Sequence, residues 1–321
     1  MKLTVGFLCY NQSSAPYLKL FLESLERSLR VWGGEVSILA GDNSDDGTSA
    51  NRELIKAHNE AATYKIDYLD FQNNLGFAAA YNKLIGKASL EGSEYFLMLN
   101  PDMLIDEQAV KHLIQGIEDN ADVAVLCPKI LQWDFQNKQT TDIIDSCGIM
   151  MKPGLRFYDL GQGKKDDASY DRAEIFGASG AAGLYKLSAL NCIKENGQYF
   201  DERFFMYKED CDLAYRLRES GFNTKLVPES LVYHDRSAAV KGGLVQTTRD
   251  WFRRSRLTRS WSFVNQHLLF IKHLTKESVY SRFLIYMQCV AYLIFSLILA
   301  QFLLKSYPII WRKRRVLTNT K

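Results

Sequence analysis

Several short polar segments of this chain carry side chains able to do chemistry. Leu99-Asn100-Pro101-Asp102 closes an apolar stretch, Tyr95 to Leu99, and delivers one carboxylate where a parallel sheet would open. A metal-bound diphosphate fits such a place, and so does an ordinary Asn-Pro turn with Asp as a helix cap. Gly41-Asp42-Asn43-Ser44-Asp45-Asp46-Gly47-Thr48 combines acids with small turn-forming residues. An acid there can accept hydrogen bonds from a ribose or a base; the alternative is a loop capped by Thr48 or Ser49. Asn74-Leu75-Gly76-Phe77-Ala78-Ala79-Ala80-Tyr81-Asn82 places glycine and alanines at a helix start, which lets the backbone approach a diphosphate closely, with Asn82 two turns further on. Asn82 also reads as a solvated helix residue. The glycine-rich stretch Gly177 to Gly183 lacks a following Lys-Ser/Thr pair, which argues against a nucleoside-triphosphate loop.

The elements that must position these groups alternate. Strand patterns at Leu3 to Tyr10, Val36 to Ala40, Ile66 to Phe71, Tyr95 to Leu99 and Val123 to Leu126 are separated by helical patterns at Leu18 to Leu29, Ala50 to His58, Phe77 to Lys87 and Glu107 to Ile117. Such alternation predicts an α/β fold with a mostly parallel sheet, helices on both faces and ligands at the carboxyl ends of the strands. The polar segments follow four of those ends. Asp145 to Asp171, with four glycines, reads as an irregular hairpin or closing loop. Trp133, Tyr158 and Phe205 are sugar-stacking candidates whose alternative is packing.

At 321 residues, 47% hydrophobic and 24% charged, the chain is long enough for one large domain plus an appendage. Its six cysteines form no Cys-x-x-Cys pair, which points to a reducing compartment rather than a disulfide framework. The first strand begins too soon for a signal peptide, so the catalytic part is expected in the cytoplasm. Charge is asymmetric. Residues 241–321 hold 15 Lys and Arg against 2 Asp and Glu, a net of +13, leaving −10 for residues 1–240. Arg253-Arg254-Ser255-Arg256 and Arg312-Lys313-Arg314-Arg315 flank an uncharged apolar run, Phe283 to Leu304. At about 1.5 Å per residue that run reaches roughly the 30 Å of a hydrocarbon core. Trp251, Phe252, Trp261 and Phe263 interleave with arginines as interfacial segments do; an apolar helix packing on the catalytic domain or on a second subunit would look similar. The expectation is an anionic membrane surface as partner, not nucleic acid, with a spanning and an in-plane helix both open.

Taken together and in order, these residues resemble the inverting glycosyltransferases of family 2 with the GT-A fold, particularly bacterial rhamnosyltransferases that extend lipid-linked polysaccharides. Cys9-Tyr10-Asn11 is similar to that family's first-strand exit, Asp42 to Thr48 to its nucleotide loop, Asn74 to Ala78 with Asn82 to its second donor motif, and Asn100-Pro101-Asp102 to its Asp-x-Asp metal motif. The resemblance continues through Phe176 to Ala182 and Phe204 to Leu213 to Val232-Tyr233-His234, covering about residues 3–240. It implies a donor site built from Tyr10, Asn11, Asp42, Asn43, Asn74, Gly76, Phe77, Asn82, Asn100 and Pro101. It implies a divalent cation, Mn2+ or Mg2+, on Asp102 and His234. Asn100 stands where the motif has its first Asp, which lowers the charge there and assigns Asn100 to ribose or phosphate. For His234 the alternative is a strand-end histidine bonded to Asp235.

The acidic cluster Glu209-Asp210-Cys211-Asp212 opens an amphipathic helical pattern, where carboxylates are favoured in any case by the helix dipole. The resemblance implies Asp210 as the base, Glu209 on the acceptor, and Ser179 and Gly180 in the acceptor-side wall. Asp212 is spaced to pair with Arg216. The expected division is a catalytic domain at 1–240 and a basic, helical membrane-associating region at 241–321. The expected reaction is inverting transfer of a deoxyhexose, with dTDP-rhamnose favoured as nucleotide-diphospho-sugar, to a lipid-linked saccharide on the cytoplasmic face of the inner or plasma membrane. Galactofuranosyl or other UDP-sugar transfer, a non-catalytic nucleotide-sugar-binding scaffold, and homo-oligomerisation stay open.

Overall fold

The computed structural model describes residues 1–45, 50–120, 122–235 and 255–318. In chain order its elements are β1 (Lys2–Cys9), α1 (Asn11–Trp32), β2 (Glu35–Asp42), α2 (Ala50–Ala61), β3 (Ile66–Asp70), α3 (Gly76–Leu90), β4 (Tyr95–Leu99), β5 (Met103–Ile105), α4 (Ala109–Glu118), β6 (Val123–Asp134) and β7 (Gln139–Ser146). There follow β8 (Ile149–Lys152), β9 (Arg156–Asp159), β10 (Ala182–Lys186), α5 (Leu187–Cys192), α6 (Glu209–Glu219), β11 (Asn223–Asp235), α7 (Arg256–His273), α8 (Val279–Ile298) and α9 (Tyr307–Thr318). The main sheet runs β3-β2-β1-β4-β10-β6-β11-β5, with β7 also on β6. β3, β2, β1 and β4 are mutually parallel, as the alternation predicts. β10 then enters antiparallel between β4 and β6, and β5 lies antiparallel on β11. The segment expected to be an irregular hairpin holds the β8–β9 ladder.

Apolar periodicity explains the layers. Leu18, Phe21, Leu22, Leu25 and Leu29 of α1 bury one stripe against the inward residues Leu3, Val5 and Phe7 of β1, in one core with α4. Tyr81, Leu84, Ile85 and Ala88 of α3 bury theirs on the other face, against Phe96 and Met98 of β4.

The C-terminal helices share a core with the sheet domain: Phe263, Val264, Leu268 and Leu269 of α7, with Ala300, Leu303 and Ile310, pack with Ile149, Phe204 and Cys211. The expected boundary at residue 240 lies outside the described residues, as do Trp251, Phe252 and Arg253-Arg254. The apolar run does not form one rod from 283 to 304. α8 begins earlier and ends at Ile298, and Gln301–Ser306 turns back as a 3-10 helix so that Ala300 and Leu303 are buried. Among the described residues α8 is the one helix long and apolar enough to cross a membrane. Its inner face is tied to the domain: Ser281 Oγ accepts from Gly154 N (2.7 Å), Gln288 Nε2 donates to Gly154 O (2.8 Å), and Ile285 packs with Leu155, Tyr215 and Phe270. The other face, through Tyr280, Phe283, Met287, Val290, Ile294 and Leu297, is exposed.

Candidate functional site

Three stretches meet around the exits of β1 and β2. Asp42 is buried at the end of β2, and its carboxylate is engaged by its own chain. Oδ1 accepts from Ser44 N (2.9 Å) and Oγ (2.5 Å), and Oδ2 from Tyr68 Oη (2.5 Å) and Asn51 Nδ2 (3.4 Å). Asp42 therefore organises this loop rather than presenting an open acceptor. Asn43 joins β2 to the next motif: its N donates to Cys9 O (2.9 Å), its Nδ2 to Gly76 O (3.0 Å), and its Oδ1 accepts from Leu75 N (3.3 Å). Asn11, at φ 42°, uses its Oδ1 to accept from Asp45 N (3.2 Å), and Tyr10 beside it is exposed. Asp46, Gly47 and Thr48 lie outside the described residues.

Asn74 Oδ1 accepts from Gly76 N (3.0 Å), and Phe77 N donates to Phe205 O (2.7 Å). Gly76 sits at φ 77°, and a Cβ there would come within 2.5 Å of the Phe205 ring and 2.6 Å of its carbonyl. Only glycine fits. Asn82, expected on the donor, instead spends its amide on the protein. Its Oδ1 accepts from Tyr199 N (3.1 Å) and Phe200 N (2.8 Å), and its Nδ2 donates to Phe200 O (2.8 Å) and Glu202 Oε1 (3.0 Å). It clamps residues 199–202.

At the end of β4, Asn100 N donates to Ala181 O (2.9 Å), which fixes the Asn100-Pro101-Asp102 turn against the start of β10. The register of β5 on β11 pairs Met103 with His234, and Asp235 N donates to Asp102 O (3.0 Å). His234 Nε2 thus lies 3.2 Å from Asp102 Oδ1, while Nδ1 is bonded to Asp145 Oδ2 at 2.8 Å. Asp102 Oδ1 is buried yet accepts no aligned hydrogen bond, so that contact is an ion pair by distance alone. Burial by itself would lower the His234 pKa, but the adjacent carboxylates of Asp102 and Asp145 outweigh it and push the imidazole up to about 9. The alternative pairing with Asp235 is not found: Asp235 Oδ2 accepts from Tyr17 Oη (2.6 Å). Trp133 is buried, with Nε1 donating to Asp102 O (3.2 Å), which makes it packing rather than a sugar platform.

Asp145 escaped the sequence reading. Its signal is a lone carboxylate set between Ile143-Ile144 and Ser146-Cys147. In the structure it orients the imidazole from behind, the usual partner of a metal-bound histidine.

Asp210 opens α6. Its Oδ2 accepts from Gly180 N (3.1 Å) and its Oδ1 from Cys211 N (2.8 Å). A Cβ on Gly180 would sit 3.1 Å from Asp210 Oδ2. Since Ala181 holds Asn100 and Gly180 holds Asp210, two adjacent residues bring the Asp102–His234 turn and the Asp210 carboxylate to one mouth of the sheet. Ser179 is buried beside them. Glu209 is buried with Oε2 unpartnered; burial first, and the charge of Asp210 second, raise its pKa well above the carboxylate range. Asp212 pairs with Arg216 at 2.8 Å, as its spacing predicts, and also meets Lys272 Nζ (2.9 Å) and His273 Nε2 (2.8 Å) of α7.

The approach to Asp210 is strained. Phe205, Tyr207 and Lys208 all lie at positive φ (46°, 72° and 69°). Asn265 of α7 holds this loop, its Nδ2 lying within 2.6 to 2.8 Å of the carbonyls of Phe204, Met206 and Tyr207, and Trp261 stacks on Phe205 at 5.0 Å.

A mostly parallel sheet with acidic and amide side chains gathered at its carboxyl edge is the arrangement of a GT-A glycosyltransferase. Residues 4–194 match the family model for glycosyl transferase family 2, and the chain belongs to that family. No curated protein sequence matches it. Solved structures share its fold at low identity. TarS of S. aureus is 14% identical with a TM-score of 0.51, over 84% of this chain and 44% of that one. GalNAc-T7 with UDP, GalNAc and Mn2+ is 13% identical at 0.53, over 73% and 43%. The mannosyltransferase PcManGT of Pyrobaculum calidifontis, in complex with GDP-Man and Mn2+, is 14% identical at 0.50, over 96% and 86%. The chain thus spans less than half the length of the first two.

Proposed function

We propose that this glycosyltransferase moves a sugar from a nucleotide-diphospho-sugar to a hydroxyl of a lipid-linked saccharide at a membrane surface, by single displacement with inversion. The observation that carries this reading is the joining of Asp102–His234 to Asp210 through Asn100, Ala181 and Gly180. The GDP-Man held by the mannosyltransferase, and the UDP and GalNAc held by GalNAc-T7, support the donor class. In one step the acceptor oxygen bonds the anomeric carbon as the bond to the diphosphate oxygen breaks; the proton passes to Asp210, and the nucleoside diphosphate leaves with the electron pair. Glu209, beside Asp210, helps hold the acceptor. Tyr10, Asn11, Asn43, Asn74, Gly76, Phe77, Asn100 and Pro101 line or shape the donor side, with Asp42 and Asn82 holding it together.

The residues fit a divalent cation. Asp102 Oδ1 offers a buried oxygen, His234 Nε2 a nitrogen already aimed by Asp145, and the departing diphosphate needs its charge neutralised. Among the described residues no three His, Cys, Asp or Glu side chains form a cage of their own; Asp102 and His234 would hold the cation together with oxygens of the donor. A bound Mn2+ or Mg2+ would act as a Lewis acid on that diphosphate. The exposed apolar face of α8, tied down along its opposite face, suits a helix lying in the interface of the cytoplasmic leaflet. The sequence resemblance favours dTDP-rhamnose.

Asp210→Asn tests the reading. Transfer should fall roughly 10²- to 10⁴-fold while donor binding is kept; undiminished transfer removes Asp210 as base. A donor screen with dTDP- and UDP-sugars then separates rhamnosyl from galactofuranosyl or other transfer.

A further inference from the structure

A cleft of about 370 Å³ lies where β9, α7 and α8 meet, away from the Asp102–His234 turn. Arg156 of β9, Lys208 and Arg259 of α7 line it, and its described lining contains no carboxylate. Arg156 Nε donates to Pro153 O (3.1 Å) and the residue is exposed. Lys208 is half-buried and makes no ion pair with any described residue. Tyr292 and Phe295 of α8 supply an apolar wall. Arg156 and Lys208, facing no carboxylate among the described lining of a partly apolar recess, have one simple complement: an anionic group attached to a hydrocarbon. One further fact fixes the direction of such a ligand. Lys208 immediately precedes Glu209 and Asp210, so whatever the anion carries on its other side is delivered to the base.

We propose that this cleft binds the phosphate or diphosphate of the lipid-linked acceptor, with Lys208 and Arg156 as its principal ligands and the saccharide directed to Asp210. The assignment rests on the acceptor class proposed above and adds the place where that acceptor is gripped.

The test uses the full chain and phosphatidylcholine vesicles doped either with undecaprenyl diphosphate or with phosphatidylglycerol at equal charge. The wild type should bind the first tighter, by about tenfold or more given the strength of hydrogen bonds to charged groups. Lys208→Gln with Arg156→Gln should remove that excess and leave binding to phosphatidylglycerol vesicles and to soluble donor intact. Equal binding to both vesicles by the wild type, or an excess that survives the double substitution, overturns the proposal. Inorganic pyrophosphate competing as well as the lipid, with no vesicle preference, marks a soluble-anion site and also overturns it. Asp210→Asn should keep the lipid preference. A chain that transfers no sugar from any donor yet keeps the preference, and loses it on double substitution, has lost the proposed function and kept this site.

Discussion

Removing one charge from the buried network behind Asp210 should cost more than any surface change. Asp212 is fully buried, and its two oxygens meet Arg216 Nε, Lys272 Nζ and His273 Nε2 between 2.8 and 2.9 Å. Arg216 is itself buried, donating also to Ile193 O and Tyr199 O, so it cannot turn to solvent. Lys272 retains Asp201 and Glu195. Asp212→Asn keeps the volume but leaves a buried guanidinium facing a neutral amide, and breaking a buried pair from one side costs about 3 to 5 kcal/mol. At about 2 °C per kcal/mol for a chain of this length, melting should fall by roughly 6 to 10 °C. Circular dichroism of the full chain in detergent measures it. The pH dependence has a definite sign. Burial alone would raise the Asp212 pKa, but Arg216, Lys272 and His273 carry it well below the carboxylate range. Its contribution is complete above the unfolded value of about 3.9 and lost as pH falls through the lowered folded value. The gap between wild type and variant should therefore be constant near neutrality and close in acid. A variant melting with the wild type at neutral pH, or a gap unchanged in acid, refutes the reasoning.

Two other outcomes follow from the packing. Gly76→Ala must pay a left-handed backbone cost of about 1 to 2 kcal/mol and displace Phe205, so it should lower melting and raise the donor KM, whereas Gly86→Ala in the same helix meets open space and should do neither. Equal melting of the two variants contradicts the fit drawn here. Ile294→Asp with Leu297→Asp, both on the exposed face of α8, should abolish flotation with anionic vesicles at unchanged melting temperature; a variant that floats like the wild type excludes α8 as the contact.

The parallel half of the fold was legible because its signals are local. Strand-like runs and the 3.6-residue stripe of α1 lie within single segments, and the polar exits follow them directly. β10 was not legible: Ala182 to Lys186 is short and mixed, and becomes a strand only because Leu99 and Leu126 flank it from distant parts of the chain. Asp145 was missed for a related reason, since a lone buried acid declares its purpose only when β7 brings it to His234. Asn82 shows the opposite case. Its type and position suited a ligand, yet the chain itself supplied partners at residues 199–202. α7 read as an interfacial segment because Trp261 and Phe263 sit among arginines, whereas these rings pack inward on Phe205 and Tyr292.

The tie from Asn265 to the carbonyls of residues 204, 206 and 207 has a bearing on biosynthesis. A ribosome delivers the parallel half of the sheet first and the side chain that locks the loop before Asp210 almost sixty residues after that loop. Until α7 emerges, the unfavourable backbone angles of Phe205, Tyr207 and Lys208 lack the Asn265 tie that holds their loop. The loop that leads into α6 is thereby kept unfinished until a segment translated almost sixty residues later has folded onto it.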